Sequence, residues 1–229
     1  MMKIAKKYRV IMLAGLVGCG TMALVDGLWQ PGYWVKSSVK LTLFLLLPLA
    51  ASALRARETL RALPRIFRAN RQALLRSSGL GVGVFAVILG GYYTLGQLFD
   101  LTAITGALTE NVGVTGENFL FVAIYISLVN SLLEEFFFRG FLFLGLLDGA
   151  PRWLAYSFSA ILFALYHIAM MFGWGSPVLI LLILAALFAG GLIFNLLNEK
   201  SHSIYPSWLV HLCANLAINT IGFILFAAA

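Results

Sequence analysis

Residues 119–147 read FLFVAIYISLVNSLLEEFFFRGFLFLGLL, an apolar run interrupted by Glu134, Glu135 and Arg139. A helix of about 20 apolar residues crosses the roughly 30 Å hydrocarbon layer of a bilayer. Because this run is longer, we expect its helix to tilt, to kink or to extend past the lipid at one end. Charges inside a span are costly, so these three residues are candidates for a functional site.

The composition of the whole chain indicates a membrane protein. Of its 229 residues 61% are apolar and 11% are charged, and the mean hydropathy is +0.94. An average soluble domain is about half apolar and about a quarter charged. This excess of apolar residues excludes a water-soluble globule and a disordered chain. Cys19 and Cys213 both lie in apolar runs without CxxC spacing, which excludes a disulfide scaffold.

We predict an all-α polytopic transmembrane bundle of about seven spans, within a range of six to eight, because backbone in lipid must satisfy its own hydrogen bonds. Polar groups lie mainly at loops and ends in residues 1–118, predicted to be N-terminal helices with an arginine-rich loop. They lie inside the spans in residues 119–229, predicted to be the catalytic core. The predicted spans are 10–28, 39–54, 79–99, 119–147, 153–172, 177–197 and 208–228.

The charge distribution predicts the orientation. Residues 55–76 hold seven arginines and one acid, whereas residues 100–118 hold three acids and neither lysine nor arginine. The positive-inside rule therefore places the arginine-rich loop and the basic N-terminus in the cytoplasm. We expect this loop to contact anionic lipid headgroups and not nucleic acid, since Phe67 is its only aromatic residue. The basic residues of the N-terminus are Lys3, Lys6, Lys7 and Arg9.

The sequence before Cys19 is also similar to a bacterial lipoprotein signal. Because the apolar run continues beyond Cys19, we favour an uncleaved first span. We expect an integral protein of the bacterial inner (plasma) membrane.

The polar residues inside the spans predict one shared site. Glu135 and Arg139 are four apart on one helical face and can pair. Glu134 points about 100° away, so it must find a partner on another helix, stay protonated or face water; His167 and His211 are the candidate partners. At about 1.5 Å per residue, Glu134 lies about 20 Å deep, His167 about 22 Å and His211 about 9 Å, which favours the Glu134 and His167 pair.

These residue types suit hydrolysis. A buried carboxylate beside an imidazole can take a proton from water, while a second imidazole and the amide of Asn215, four residues after His211, can stabilise an oxyanion. Each residue alone is also compatible with a structural contact between helices, and the set spread over three spans favours a site. The serine motif GxSxG and the zinc motif HExxH are absent from the sequence.

Three motifs in this order, EExxxR at 134–139, FxxxH at 163–167 and HxxxN at 211–215, resemble the CAAX protease and bacteriocin-processing family (CPBP, or Abi). This family includes the Ras-converting CAAX endopeptidases, and the resemblance covers about residues 119–220. It implies an intramembrane endopeptidase whose substrate is tethered to the membrane: a lipidated C-terminal tail, a leader or a sorting tag. It implies that Glu134 is the general base that activates water, assisted by His167, and that Glu135 and Arg139 orient the site. It also implies that His211 and Asn215 stabilise the oxyanion.

Two alternatives concern the mechanism and the function. Glu134, His167 and His211 could instead be zinc ligands, but their spacing is unlike a compact zinc helix, so we expect no cofactor. A proton-coupled transporter could use the same three residues as a relay, although the sequence lacks the internal repeats of such proteins. A membrane scaffold or immunity protein with an unused site is the remaining alternative.

Overall fold

The computed structural model describes residues 6–55, 64–68 and 71–228. Eight helices of at least eleven residues carry most of these residues. They are α1 (Lys6–Leu24, continued as a π-turn over Val25–Trp29), α2 (Tyr33–Arg55), α3 (Arg71–Leu95), α4 (Thr102–Val112), α5 (Phe119–Leu147), α6 (Arg152–Tyr166), α7 (Pro177–Ser201) and α8 (Tyr205–Ala228).

Seven of these helices are long and apolar enough to cross a membrane, and α4 is the short exception. The predicted all-α polytopic bundle and its number of spans are therefore confirmed for the described residues, and the chain is an integral membrane protein. Helix α2 begins at Tyr33, before the predicted start at residue 39, because the helix continues through Lys36. Its Nζ lies 2.8 Å from Oδ1 of Asp26 on the preceding segment, which neutralises it inside the bundle.

The connections alternate between two ends of the bundle. At one end the hydroxyl of Tyr8 donates to the carbonyl of Asp148, and the amide of Ile204 donates to the carbonyl of Ile66, each over 2.9 Å. Three of the basic residues that assign this end to the cytoplasm, Lys3, Arg57 and Arg61, lie outside the described residues. The orientation stays a prediction.

Helix α5 lies at the centre, packed against α1, α2, α6, α7 and α8. It departs from a regular α-helix in two π-helical stretches, Ile126–Asn130 and Glu135–Phe143, and every residue of the second stretch is buried. In a π-turn the backbone bonds run from i to i+5, which re-aims side chains and is common at functional sites. The division of the chain at residue 118 stays a prediction, and α1 and α2 pack directly on α5.

Candidate active site

Glu134 is almost fully buried, at 3% exposed, and its carboxylate contacts two other helices, α2 and α8. Its Oε1 forms an ion pair with Nζ of Lys40 on α2. The same oxygen accepts from Nδ2 of Asn130, one turn earlier on α5, over 3.1 Å. Lys40 Nζ also donates to Oδ1 of Asn130 over 2.5 Å. Glu134 therefore has a lysine as a partner on another helix, in addition to His211.

His211 on α8 lies between the two adjacent carboxylates. Its Nε2 is 3.7 Å from Oε2 of Glu134, and its Nδ1 is 2.9 Å from Oε1 of Glu135. The predicted depths, counted from the helical rise, placed His211 much shallower than Glu134 and were wrong about this contact. Residues 203 and 204, just before α8, are themselves buried, so this helix begins inside the bundle and not at its surface.

Glu135 and Arg139 are both fully buried, and Nη1 of Arg139 lies 3.4 Å from Oε1 of Glu135. The guanidinium carbon is 4.0 Å from the ring centre of Phe163 on α6 and 4.9 Å from that of Phe194 on α7. Both distances are within the range of a cation–π contact, which attracts the charge without water. Arg139 thus balances Glu135, and through it holds the oxygen that faces His211.

His167 follows the last residue of α6 and lies in a turn. Its Nδ1 is 2.7 Å from the carbonyl oxygen of Phe163. Since a carbonyl only accepts, Nδ1 carries the hydrogen, and Nε2 of the neutral ring keeps its lone pair. His167 and His211 both pack against the ring of Phe163, with 4.9 and 5.9 Å between ring centres, so His167 lies in one cluster with His211 and Glu134.

Asn215 lies one turn after His211, but its amide has a backbone partner. Nδ2 donates to the carbonyl of Ile126 over 3.2 Å, at the start of the first π-helical stretch of α5. Asn219, one turn further, donates to the carbonyl of Ala123 over 3.1 Å and to Oγ of Ser127 over 2.9 Å. The π-turn interrupts the regular backbone bonding of α5, and these two amides satisfy groups at the interruption.

Lys40 and Asn130 are the two residues of the cluster that the sequence motifs do not contain. A signal for Lys40 was present, because a lysine inside an apolar helix requires a partner and Glu134 lacked one. Its register follows from Phe44, one turn later, whose ring stacks on that of Phe137 with 4.1 Å between centres. This stack aligns α2 with α5 and thereby sets Lys40 against Glu134.

A cavity of about 90 Å³ lies beside the first half of α5. At this size it has room for water. Its lining is mostly apolar and includes the Asp26 and Lys36 ion pair, Trp174 and Ile126. Ile126 is one turn before Asn130, so this cavity approaches the cluster from one end.

The residues suggested as zinc ligands, Glu134, His167 and His211, do not fit a metal ion as they stand. No group of three His, Cys, Asp or Glu side chains in the described ranges is arranged to hold one. The ammonium of Lys40 against Oε1 of Glu134 also opposes a cation at that oxygen.

The comparison with protein families matches residues 116–217 to the model described as "Type II CAAX prenyl endopeptidase Rce1-like". The matched segment contains all three motifs, whereas Lys40 lies outside it. Comparisons with curated proteins and with solved structures give no match. The family match confirms the resemblance to the CAAX protease family over residues 116–217 of this integral membrane protein, a little under half of the chain.

Proposed function

We propose that the protein is an intramembrane endopeptidase that hydrolyses a peptide bond of a membrane-tethered substrate with water activated by Glu134. The observation that carries the proposal is the position of His211, 3.7 Å from Glu134 and 2.9 Å from Glu135. The family match supports the class of reaction. The acid and the imidazoles supply the chemistry that amide hydrolysis needs.

The protonation of His211 follows from its neighbours. A carboxylate accepts hydrogen bonds, so Nδ1 of His211 donates to Glu135. The carboxylates of Glu134 and Glu135 are already paired with the cations Lys40 and Arg139. With a neutral ring, Nε2 of His211 and Oε2 of Glu134 are two acceptors that face each other. A water molecule between them donates one hydrogen to each, and we assign the nucleophile to this place.

The proposed step balances as an ordinary hydrolysis. The water oxygen attacks the carbonyl carbon while one water proton moves to Oε2 of Glu134. The same proton then reaches the leaving nitrogen as the carbon–nitrogen bond breaks, with His167 assisting through Nε2. Asn215 uses one of its two amide hydrogens on Ile126 and donates the other to the oxyanion. The second water proton stays on the new carboxyl group, and Nε2 of His211 accepts it after the carbon–nitrogen bond has broken.

For the substrate we propose a lipidated C-terminal tail. In a CAAX tail the cysteine carries a prenyl chain, which anchors the peptide in the bilayer beside an intramembrane site. No cofactor is part of the proposal. The proposed setting is the bacterial inner membrane. The N-terminus is proposed to be cytoplasmic because the N-terminal segment is basic.

The test uses the purified protein in liposomes with a farnesylated CAAX peptide, and mass spectrometry of the products. Glu134→Gln keeps the size and removes the base, so we expect cleavage to fall by about 10²–10⁴-fold. The matched control is Glu110→Gln, an exposed acid on α4, which we expect to cleave as the wild type does.

Two further arms test the finer parts of the proposal. Cleavage that survives a chelator supports the mechanism without metal, whereas loss restored by zinc contradicts it. An unmodified peptide that is cleaved as fast as the farnesylated one contradicts the tethered substrate. A fully active Glu134→Gln variant contradicts the glutamate mechanism, and absence of cleavage in the wild type with any tail peptide favours a scaffold or a transporter.

A further inference from the structure

Lys40 is the feature of the site that the family motifs leave unexplained. It lies on α2, outside the segment that matches the family, and it is 4% exposed. A buried ammonium is costly unless it is paired and hydrogen-bonded. Its partners are Glu134 and Asn130, so the N-terminal half of the chain reaches the centre of the proposed active site.

The contacts of Lys40 make the two oxygens of Glu134 unequal. Oε1 receives Lys40 Nζ and Asn130 Nδ2, and Asn130 Oδ1 in turn accepts from Lys40. These three side chains therefore form a closed triangle. The other oxygen, Oε2, faces Nε2 of His211. Rotation of the carboxylate would break two contacts of the triangle, so the oxygen directed at His211 is fixed.

Aromatic rings hold the ammonium where it is. Lys40 Nζ is 4.9 Å from the ring centre of Tyr166 on α6 and 5.5 Å from that of Phe44 on α2. Ring faces attract a cation and exclude water from it. The charge of Lys40 is thus directed at Glu134 from a rigid wall built by two helices.

We propose that Lys40 is a positioning residue, which acts through Glu134 by occupying Oε1 and presenting Oε2 to the water and to His211. This inference rests on the proposed function for its effect on catalysis. The contact itself has consequences for stability that do not depend on activity. A misplacement of a reacting group by about 1 Å costs about 10²-fold in rate.

The kinetic test compares Lys40→Met with Lys36→Met in the liposome assay. Methionine keeps much of the length and removes the charge. Lys36 is the matched control, since it lies one turn earlier on the same helix and is paired with Asp26. For Lys40→Met we expect kcat to fall by about 10²-fold at nearly unchanged KM. For Lys36→Met we expect a kcat close to that of the wild type, even where the folded protein is less stable.

The stability test is a double-mutant cycle on the unfolding temperature in detergent, with Lys40→Met, Glu134→Gln and the double variant. Removing one partner leaves a buried group unpaired, whereas removing both does not. We therefore expect the double variant to be at least as stable as Lys40→Met alone. Should Lys40→Met fail to fold, recovery of folded protein in the double variant supports the contact, and no recovery overturns it.

The outcomes separate this inference from the proposed function. An unchanged kcat in Lys40→Met together with an inactive Glu134→Gln overturns the positioning role and leaves the proposed function in place. Wild-type cleavage by Glu134→Gln overturns the proposed function, and the unfolding cycle then decides on Lys40 alone. Additive losses of stability in that cycle overturn the inference.

Discussion

Helices α5 and α7 show that the most apolar span of this protein is not the most buried one. The span of α7 is the most apolar of the seven, with a mean hydropathy of 2.7, yet only 11% of its most apolar window is buried. The span of α5 has a mean hydropathy of 1.6, and half of its most apolar stretch of 18 residues is buried. A helix that carries Glu134, Glu135 and Arg139 cannot face lipid, so protein surrounds it. The most apolar helix can face lipid and occupies the outside.

Helix α7 still contributes one stripe to the interior. Its buried residues are Gly191, Phe194, Asn195 and Asn198, at positions i, i+3, i+4 and i+7. This spacing lies on one face of a helix. Phe194 packs there against Arg139 and stacks on His211, with 5.4 Å between ring centres. The comparison teaches that polarity within a span indicates its place in the bundle, while apolarity indicates only that it spans.

We expect the largest effect from removing the positive charge of Arg139, which pairs with the buried Glu135. Arg139→Met leaves Glu135 buried without its cation. We expect a loss of about 3–5 kcal/mol in the free energy of unfolding, measured by denaturation in detergent. The matched control is Arg152→Met at the end of α6, whose partner Glu199 lies 2.7 Å away. Arg152 is 63% exposed, so water replaces the lost contact and we expect little change. Equal losses in the two variants would contradict the contrast between centre and edge.

The second effect tests the single buried stripe of α7. A Cβ on Gly191 would lie 3.1 Å from both Cα and Cβ of Ala160 on α6, whereas a Cβ on the adjacent Gly190 would meet nothing within 4 Å. Leucine at position 191 therefore forces α6 and α7 apart. We expect Gly191→Leu to cost about 1–3 kcal/mol of stability by overpacking.

Gly190→Leu is the control, and it gains helix propensity over glycine without a clash. We expect its unfolding midpoint in detergent to equal or exceed that of the wild type. A destabilised Gly190→Leu beside an unaffected Gly191→Leu would place the opposite face of α7 against the protein.

The sequence predicted what depends on local pattern. The seven spans follow from the length of apolar runs, and the Glu135 and Arg139 pair follows from a spacing of four. The contact of Lys40 with Glu134 joins residues 94 apart in the chain, and no periodicity carries that information. The predicted depth of His211 was wrong for a related reason, because counting residues from a helix end assumes that this end lies at the membrane surface.

The irregular backbone of α5 was also beyond the sequence. An expected tilt or kink follows from length, whereas the first π-helical stretch coincides with contacts from α8. The amides of Asn215 and Asn219 satisfy α5 groups there, and Ser131, whose hydroxyl accepts from Trp208 Nε1, adds a further contact. The motif HxxxN predicts that His211 and Asn215 share a face, and it leaves open which helix that face meets.

The smallest expected effect concerns those amides. Asn219→Ala removes the hydrogen bonds to Ala123 and Ser127 on α5. Hydrogen bonds between membrane helices average about 0.6 kcal/mol and reach about 1.7, because the unfolded chain in the membrane also finds partners. We expect a loss of that size in the unfolding free energy in detergent. Thr220→Ala is the control, since its exposed hydroxyl bonds only within α8, to the carbonyl of Leu216 among the described contacts. A loss for Asn219→Ala as large as that for Arg139→Met would mean that the π-helical stretch depends on this amide, and that the centre of α5 is stabilised by its backbone partners as much as by its charges.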